Sequence, residues 1–164
     1  METAALIIAL DPPDSPARVR SPEREPFRIG LVQERWHPDP DEHQSALADG
    51  IRVAAEHGAR LVCLQELTLS PYFAVNPDAG DRPAARAEDI PTGPTTAFAA
   101  RLAAETRAHV HASLYERAGE AELGFNTAIC VSPSGQVVAR TRKQHIPVTA
   151  GYHEDRYFRP GDSG

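Results

Sequence analysis

The order of the apolar segments is the feature that most constrains the fold of this chain. Phe27, Ile29 and Leu31 alternate along the chain as the apolar residues of a strand do. An amphipathic segment follows, and then the run 60–65 is apolar without alternation, which is typical of a strand covered on both faces. The succession of strand, helix and strand predicts an α/β fold.

The helix between these two strands has start and stop signals. Asp39 is a candidate N-cap, Pro40 suits the first helical position, and Glu42 would complete a capping box. Gly58 can adopt the left-handed conformation that ends many helices. The sequence therefore predicts one helix between Asp39 and Gly58.

The second half of the chain repeats the strand and helix patterns. Gly93 and Pro94 open a second amphipathic helix, and residues 109–115 have the composition of a third strand. Segments 125–131 and 136–142 flank a Ser-Pro-Ser-Gly turn, which predicts a β-hairpin.

Length and composition allow one domain with a short extension. With 164 residues, 41% of them apolar, the chain can bury one core of ordinary size. Residues 1–26 mix proline with charged residues and predict a disordered, Pro-rich extension. The folded domain is expected to span 27–164.

Charge and cysteine usage exclude several classes of protein. A net charge of -6 argues against a nucleic-acid surface, which would need a basic patch. Cys63 and Cys130 lie in apolar, strand-like runs and are expected to be reduced core residues. The aliphatic stretch 4–10 is too short to span a bilayer. We therefore expect a soluble, cytoplasmic protein that contacts neither nucleic acid nor membrane.

Lys143 is the only lysine in a chain with sixteen arginines. A lysine is a compact point charge whose pKa burial can lower, whereas an arginine stays charged and forked. The position therefore indicates a role that arginine fills poorly, although a single lysine after a strand is also a common surface residue.

Two glutamates are candidate partners for this lysine. Glu66 ends the buried strand 60–65, and ligand clefts open at the carboxyl ends of strands in α/β sheets. Leu64 and Leu67 on either side would partly desolvate the carboxylate, as general acid-base catalysis requires. Glu154 follows Lys143 in a loop. Taken alone, Glu66 is more typical of a helix-capping or solvent-facing glutamate, and Glu154 of an ordinary loop acid.

Several short motifs occur in order along residues 27–164. They are Leu64-Gln65-Glu66-Leu67, Pro71-Tyr72-Phe73, Phe125-Asn126-Thr127-Ala128, Arg142-Lys143-Gln144-His145-Ile146-Pro147, Gly151-Tyr152-His153-Glu154 and Tyr157-Phe158-Arg159-Pro160-Gly161-Asp162. Together they resemble the nitrilase superfamily of carbon-nitrogen hydrolases, and within it the N-carbamoylputrescine amidase branch of polyamine metabolism, with β-ureidopropionase-like and other aliphatic amidases close by.

The resemblance implies a fold and a set of catalytic residues. The fold would be the first part of a four-layer α-β-β-α sandwich. Glu66 matches the family's general base and acid, Lys143 its transition-state stabiliser, and Glu154 the second glutamate that orients the site. Tyr72 is either a wall of the substrate pocket or a core tyrosine. The family uses no metal or organic cofactor and commonly forms homo-oligomers.

The resemblance also implies that the nucleophilic cysteine is missing. In the family it follows the Pro-Gly-Asp element, at a position that would come after Gly164. Cys63 and Cys130 lie inside strands, where a thiolate is poorly presented. We therefore expect a domain that is incomplete at its C-terminal end and inactive alone, from a truncated sequence or a split gene. Its uncovered sheet would cause self-association.

Three functions fit this reading of the sequence. The first is a hydrolase of small linear amides or N-carbamoyl amines that works once the cysteine is supplied. The second is a non-catalytic fragment or pseudoenzyme that binds a ligand or partner. The third is an unrelated α/β domain with accidental matches.

His109 and His111 share a strand face, but two ligands without a third make a weak zinc site.

Overall fold

The architecture is a five-stranded mixed sheet with two helices on the same face and a separate two-stranded sheet. It is known from a computed structural model that describes residues 16–17, 20–21, 23–78, 86–119 and 123–162. In chain order the elements are β1 (Ile29–Leu31), α1 (Pro40–Glu56), β2 (Leu61–Cys63), α2 (Pro94–Thr106), β3 (His109–Glu116), β4 (Phe125–Val131), β5 (Val137–Arg142), β6 (Val148–Thr149) and β7 (Tyr152–His153). The predicted extension, residues 1–26, lies largely outside the described residues.

The main sheet has the strand order β1-β2-β3-β4-β5. The first three strands are parallel, and β3, β4 and β5 pair antiparallel. The turn between β4 and β5 contains Gly135 at a φ of 79°, as a hairpin glycine requires. The α/β class and the hairpin predicted from the sequence are therefore confirmed.

Helix α1 begins and ends close to the predicted residues. The Asp39 side chain accepts a hydrogen bond from the backbone N–H of Glu42 at 3.0 Å, and Gly58 follows the helix with a φ of 85°. Only half of the predicted capping box is formed, because the Glu42 carboxylate lies 2.9 Å from Nδ1 of His37. This contact uses the side chain that would have bonded back to Asp39.

The main core lies between the sheet and both helices. Leu47 and Ile51 of α1 and Leu102 of α2 are fully buried, as are Val62 and Val110 of the sheet. Burial of apolar surface on this scale is the dominant favourable term in folding. Within the described residues, α1 and α2 therefore cover this face of the sheet.

The opposite face of the sheet is largely uncovered by the described residues. Ile29 and Leu31 of β1 are 53% and 82% exposed, and Leu61 and Cys63 of β2 are only half buried. The sequence predicts a β2 covered on both faces, but α1 and α2 both pack on the other side. In a four-layer sandwich this is the face that a second sheet covers. The expected self-association through it stays a prediction.

A second, aromatic core lies beside the sheet. Tyr115 of β3 packs against Phe158 and Phe73, with ring centroids 5.5 Å apart in both pairs. The Tyr115 hydroxyl also donates a hydrogen bond to the carbonyl oxygen of Tyr157 at 2.9 Å. This core holds the loop after β2 against the segment after β7.

No helix in the described part of the chain is long and apolar enough to cross a membrane.

Candidate active site

Three charged side chains converge beside the aromatic core. The Lys143 ammonium lies 2.7 Å from Oε2 and 3.0 Å from Oε1 of Glu154, and 3.4 Å from Oε1 of Glu66. These residues come from three different segments of the chain. The structure therefore brings together the lysine and both glutamates that the sequence singles out.

The fold positions each of the three next to one end of an element. Glu66 follows β2, Lys143 directly follows β5, and Glu154 opens a 3₁₀ turn, Glu154–Arg156, after β7. The backbone N–H of Lys143 donates to the carbonyl oxygen of Asn126 in β4 at 2.8 Å, which continues the β4–β5 ladder to the lysine. Rigid strands therefore set the position of the ammonium.

Glu66 is more exposed than the sequence suggests. Its side chain is 43% exposed. The physical reason is that the two flanking leucines point away from it: Leu64 is buried in the main core and Leu67 in the aromatic core. The expected desolvation by these leucines is therefore wrong for the described residues.

The backbone beside Glu66 is strained. Leu67 has a φ of 51°, a left-handed conformation that costs a residue with a side chain about 1–3 kcal/mol. Its N–H donates to Oγ of Ser113 at 3.2 Å, and the next N–H, of Thr68, donates to the Ser113 carbonyl at 2.8 Å. These bonds to β3 hold the strained turn that presents the Glu66 carboxylate.

Lys143 remains charged in this setting. Burial opposes the charge, but the hydrogen bonds that Lys143 donates to Glu154 and the negative charges of Glu66 and Glu154 outweigh it and raise the pKa of the ammonium. Burial can lower the pKa of a lysine, but here the two carboxylates prevail. A lysine held as a cation acts as a fixed positive charge, not as a base.

Glu154 is the most buried member of the cluster. Its side chain is only 4% exposed, and it accepts a hydrogen bond from the Tyr72 hydroxyl at 2.5 Å as well as those from Lys143. Burial and the nearby Glu154 carboxylate raise the pKa of Tyr72. Tyr72 packs against the aromatic core with its ring and faces the cleft with its hydroxyl. Its contact with substrate stays a prediction.

A cleft of about 480 Å³ opens at this cluster. It is lined by Glu66, Tyr72, Pro147, Thr149, Tyr152 and Glu154. The lining combines apolar surface with a few convergent polar groups, as small-molecule sites do.

Replacing Tyr72 by phenylalanine is expected to lower the free energy of unfolding by about 1.5–3 kcal/mol, because a buried carboxylate loses a hydrogen bond. Urea denaturation at neutral pH measures this change. The matched control is Tyr152→Phe, on the same cleft but 48% exposed, which should change stability by less than about 0.5 kcal/mol. Equal losses for both variants would contradict the role given to the Tyr72 hydroxyl.

Neither cysteine belongs to this cluster. Cys63, His111 and Cys130 pair across β2, β3 and β4 in one row on the uncovered sheet face. Asn126, which contacts Glu66, lies four residues from Cys130 on β4, or about 13 Å at the rise of a strand. Burial raises the pKa of both thiols, which opposes thiolate formation.

The paired histidines do not form a metal centre. His109 and His111 both lie half buried on the uncovered face of β3. Within the described ranges, no group of three His, Cys, Asp or Glu side chains is arranged to hold a metal ion.

Sequence reasoning gave no role to several residues that support the site. Asn126 donates a hydrogen bond to Oε1 of Glu66 at 2.5 Å, and Ser113 contacts Asn126 in turn. Arg142, beside Lys143, forms a double hydrogen bond with buried Glu116 at 2.6 and 2.9 Å. Polar residues in otherwise apolar strands are the signal that marks Asn126, Ser113 and Glu116.

The arrangement combines a fixed cation with a half-exposed carboxylate. An ammonium held by a buried carboxylate can stabilise negative charge that develops on a bound molecule. A carboxylate within reach of the same cleft can transfer protons. Both are parts of acyl-transfer chemistry, which also needs a nucleophile.

Comparison with known proteins agrees with this geometry. The carbon-nitrogen hydrolase family model matches residues 28–163. The chain is 32% identical to N-carbamoylputrescine amidase of Solanum lycopersicum over 114 residues, covering 70% of this chain and 37% of that protein. It is 28% identical to citrullinase of Francisella tularensis, covering 84% and 47%.

A solved structure supports the same family. The carbon-nitrogen hydrolase from Helicobacter pylori G27 superposes with a TM-score of 0.70 at 26% identity, covering 84% of this chain and 46% of that one. The chain thus spans less than half the length of each of these relatives. Its sheet and two helices correspond to the first part of the α-β-β-α sandwich. From its motifs, its fold and the matched residues together, the chain belongs to the carbon-nitrogen hydrolase family of the nitrilase superfamily.

Proposed function

We propose that this chain supplies the glutamate and lysine part of an amidase active site. The substrate would be a small linear amide or N-carbamoyl amine such as N-carbamoylputrescine. The observation that carries the proposal is the contact of one ammonium with two carboxylates at the cleft, Lys143 with Glu66 and Glu154. The N-carbamoylputrescine amidases among the relatives favour this substrate class.

The proposed reaction has two halves. A cysteine thiolate from outside the described residues attacks the amide or carbamoyl carbon, and Lys143 stabilises the negative charge that forms on its oxygen. Glu66 transfers a proton to the departing nitrogen, and the amine leaves. Glu66 then takes a proton from water, whose oxygen attacks the thioester and frees the acid and the thiolate. Glu154 keeps Lys143 in place throughout.

The proposal also covers the cellular location, the oligomeric state and the domain bounds of the enzyme. A cytoplasmic location fits the two free cysteines, because cytosolic proteins keep their thiols reduced. Homo-oligomer formation by the complete enzyme, and a domain from residue 27 onward after a Pro-rich extension, belong to the same proposal.

The 164-residue chain alone is expected to release no ammonia from N-carbamoylputrescine or from a simple aliphatic amide, because neither of its thiols lies at the cluster. Turnover that disappears in Cys63→Ala or Cys130→Ala would contradict this expectation. An ammonia assay with each purified variant decides the point.

The activity itself is tested with a complemented chain, meaning residues 1–164 co-expressed with a segment that carries the cysteine. The segment is the one encoded downstream of codon 164, or, if that lacks a cysteine, the part of the Helicobacter pylori protein outside the match. Ammonia release from the co-purified complex supports the amidase. A folded complex without activity supports the alternative, a non-catalytic ligand- or partner-binding module.

A further inference from the structure

We propose that Asn126 is a positioning residue that sets the distance between Glu66 and Lys143. Its side chain holds the carboxylate, and its backbone holds the lysine. The inference rests on the proposed function, since it states how the two groups of that site are kept in register.

Asn126 contacts both groups directly. It is the second residue of β4 and only 5% exposed. Its Nδ2 donates to Oε1 of Glu66 at 2.5 Å, and its carbonyl oxygen accepts from the backbone N–H of Lys143 at 2.8 Å. A single buried residue therefore links the loop after β2 to the end of β5.

A closed ring of hydrogen bonds orients the amide. The N–H of Leu67 donates to Oγ of Ser113 at 3.2 Å, and this hydroxyl donates to Oδ1 of Asn126 at 3.4 Å. Because Leu67 is the residue after Glu66, the ring returns to its starting point. With Oδ1 facing a donor, the Nδ2 group is the one directed at the carboxylate.

The ring also selects one carboxylate oxygen. In the described part of the chain, both groups that donate to Glu66, the Asn126 amide and the Lys143 ammonium, end on Oε1. This leaves Oε2 as the oxygen for proton transfer. Small displacements of a catalytic group lower the reaction rate strongly. A carboxylate held in one orientation is therefore a better catalyst than one that is only nearby.

The first test is spectroscopic and uses the 164-residue chain itself. The chain has two asparagines, and Asn76 is an exposed internal reference. The Asn126 side-chain amide protons are expected downfield of those of Asn76 in a ¹H–¹⁵N spectrum, because they bond to a charged oxygen. In Glu66→Ala this separation should disappear. A position of the Asn126 signals that does not change in Glu66→Ala would overturn the inference, whether or not the protein hydrolyses amides.

The second test is a kinetic cycle in the complemented chain. Asn126→Ala should lower kcat about 10- to 100-fold with KM changed less than about twofold, since it misplaces a catalytic group without removing a substrate contact. In a Glu66→Gln background the same change should cost less than about twofold. Ser113→Ala, a milder change in the ring, should lower kcat in the same direction and covers the case in which Asn126→Ala fails to fold.

Asn76→Ala, which removes an exposed side chain outside the cleft lining, should leave kcat unchanged. Equal losses from Asn126→Ala in both backgrounds would show a purely structural role and overturn the inference. An inactive complemented chain whose Asn126 signals still depend on Glu66 would count against the amidase proposal alone.

Discussion

Replacing Lys143 by methionine in the complemented chain is expected to lower kcat about 100- to 1,000-fold, the usual cost of losing one oxyanion-stabilising group. The loss of kcat should be this large because no neighbouring arginine in the sequence is free to take the place of the Lys143 ammonium. The nearest arginine in sequence, Arg142, is engaged with Glu116 and Asp162, so it cannot replace the lost charge. Measuring kcat and KM by ammonia release tests this expectation.

Two further variants sharpen the test of Lys143. Lys143→Arg should stay at least about 10-fold below the wild type, because a planar guanidinium pairs with Glu154 in a different geometry from a compact ammonium. Arg101→Met removes an exposed cation from α2 and should leave kcat unchanged. A Lys143→Met complex that is folded and nearly as active as the wild type would remove Lys143 from the mechanism.

Replacing Arg142 by methionine is expected to lower the free energy of unfolding by about 3 kcal/mol near neutral pH, since it leaves a buried carboxylate without its main partner. Glu116 is only 5% exposed, and Arg142 holds both of its oxygens. Thr127 at 2.7 Å and the more distant Arg140 at 3.5 Å remain, which keeps the loss at the lower end of the range for buried pairs.

The stability contributed by this pair should depend on pH. Burial acts to raise the pKa of Glu116, but the hydrogen bonds from Arg142 and Thr127 outweigh it and hold the pKa below its usual 4.5. A group with a lowered pKa in the folded state adds stability above its unfolded pKa and loses it as the pH falls through the folded value. The penalty of Arg142→Met should therefore be full above pH 4.5 and shrink below it.

Urea denaturation from neutral to acidic pH measures both quantities. The control is Arg101→Met, which removes a surface ion pair 4.0 Å long and should cost less than about 1 kcal/mol. A penalty that is the same at all pH values would mean that Arg142 acts through packing alone. Its guanidinium does lie 3.7 Å from the centre of the Phe125 ring, so the pH dependence is the decisive part of the measurement.

The fold was predictable wherever local signals are strong. The Asp39 cap and the glycine after α1 mark the first helix, and the Ser-Pro-Ser-Gly turn marks the hairpin. The prediction failed where the three-dimensional arrangement decides which of several groups a residue contacts. Glu42 contacts His37 instead of bonding back to Asp39, and among the described residues β2 is fully covered on one face and only partly on the other.

The candidate site was likewise predictable in part. The sequence marked Glu66 and Lys143 by their places after predicted strands, and the resemblance of the motifs to the nitrilase superfamily added a role for Glu154. Only the tertiary structure showed that their charged atoms meet within 2.7–3.4 Å. It also decided their environments, since burial and the charge of neighbours depend on segments far apart in the chain.

Asn126 and Ser113 show most clearly why the sequence alone could not predict the contacts that support the site. Asn126 and Ser113 stand 13 positions apart, and Asn126 and Glu66 stand 60 apart. No local propensity or periodicity links such positions, because their contact is created by strand pairing between β3 and β4 and by the strained turn at Leu67. The sequence determined which elements form and which charged groups end them, whereas the pairing of the strands decided which polar side chains hold those groups in place.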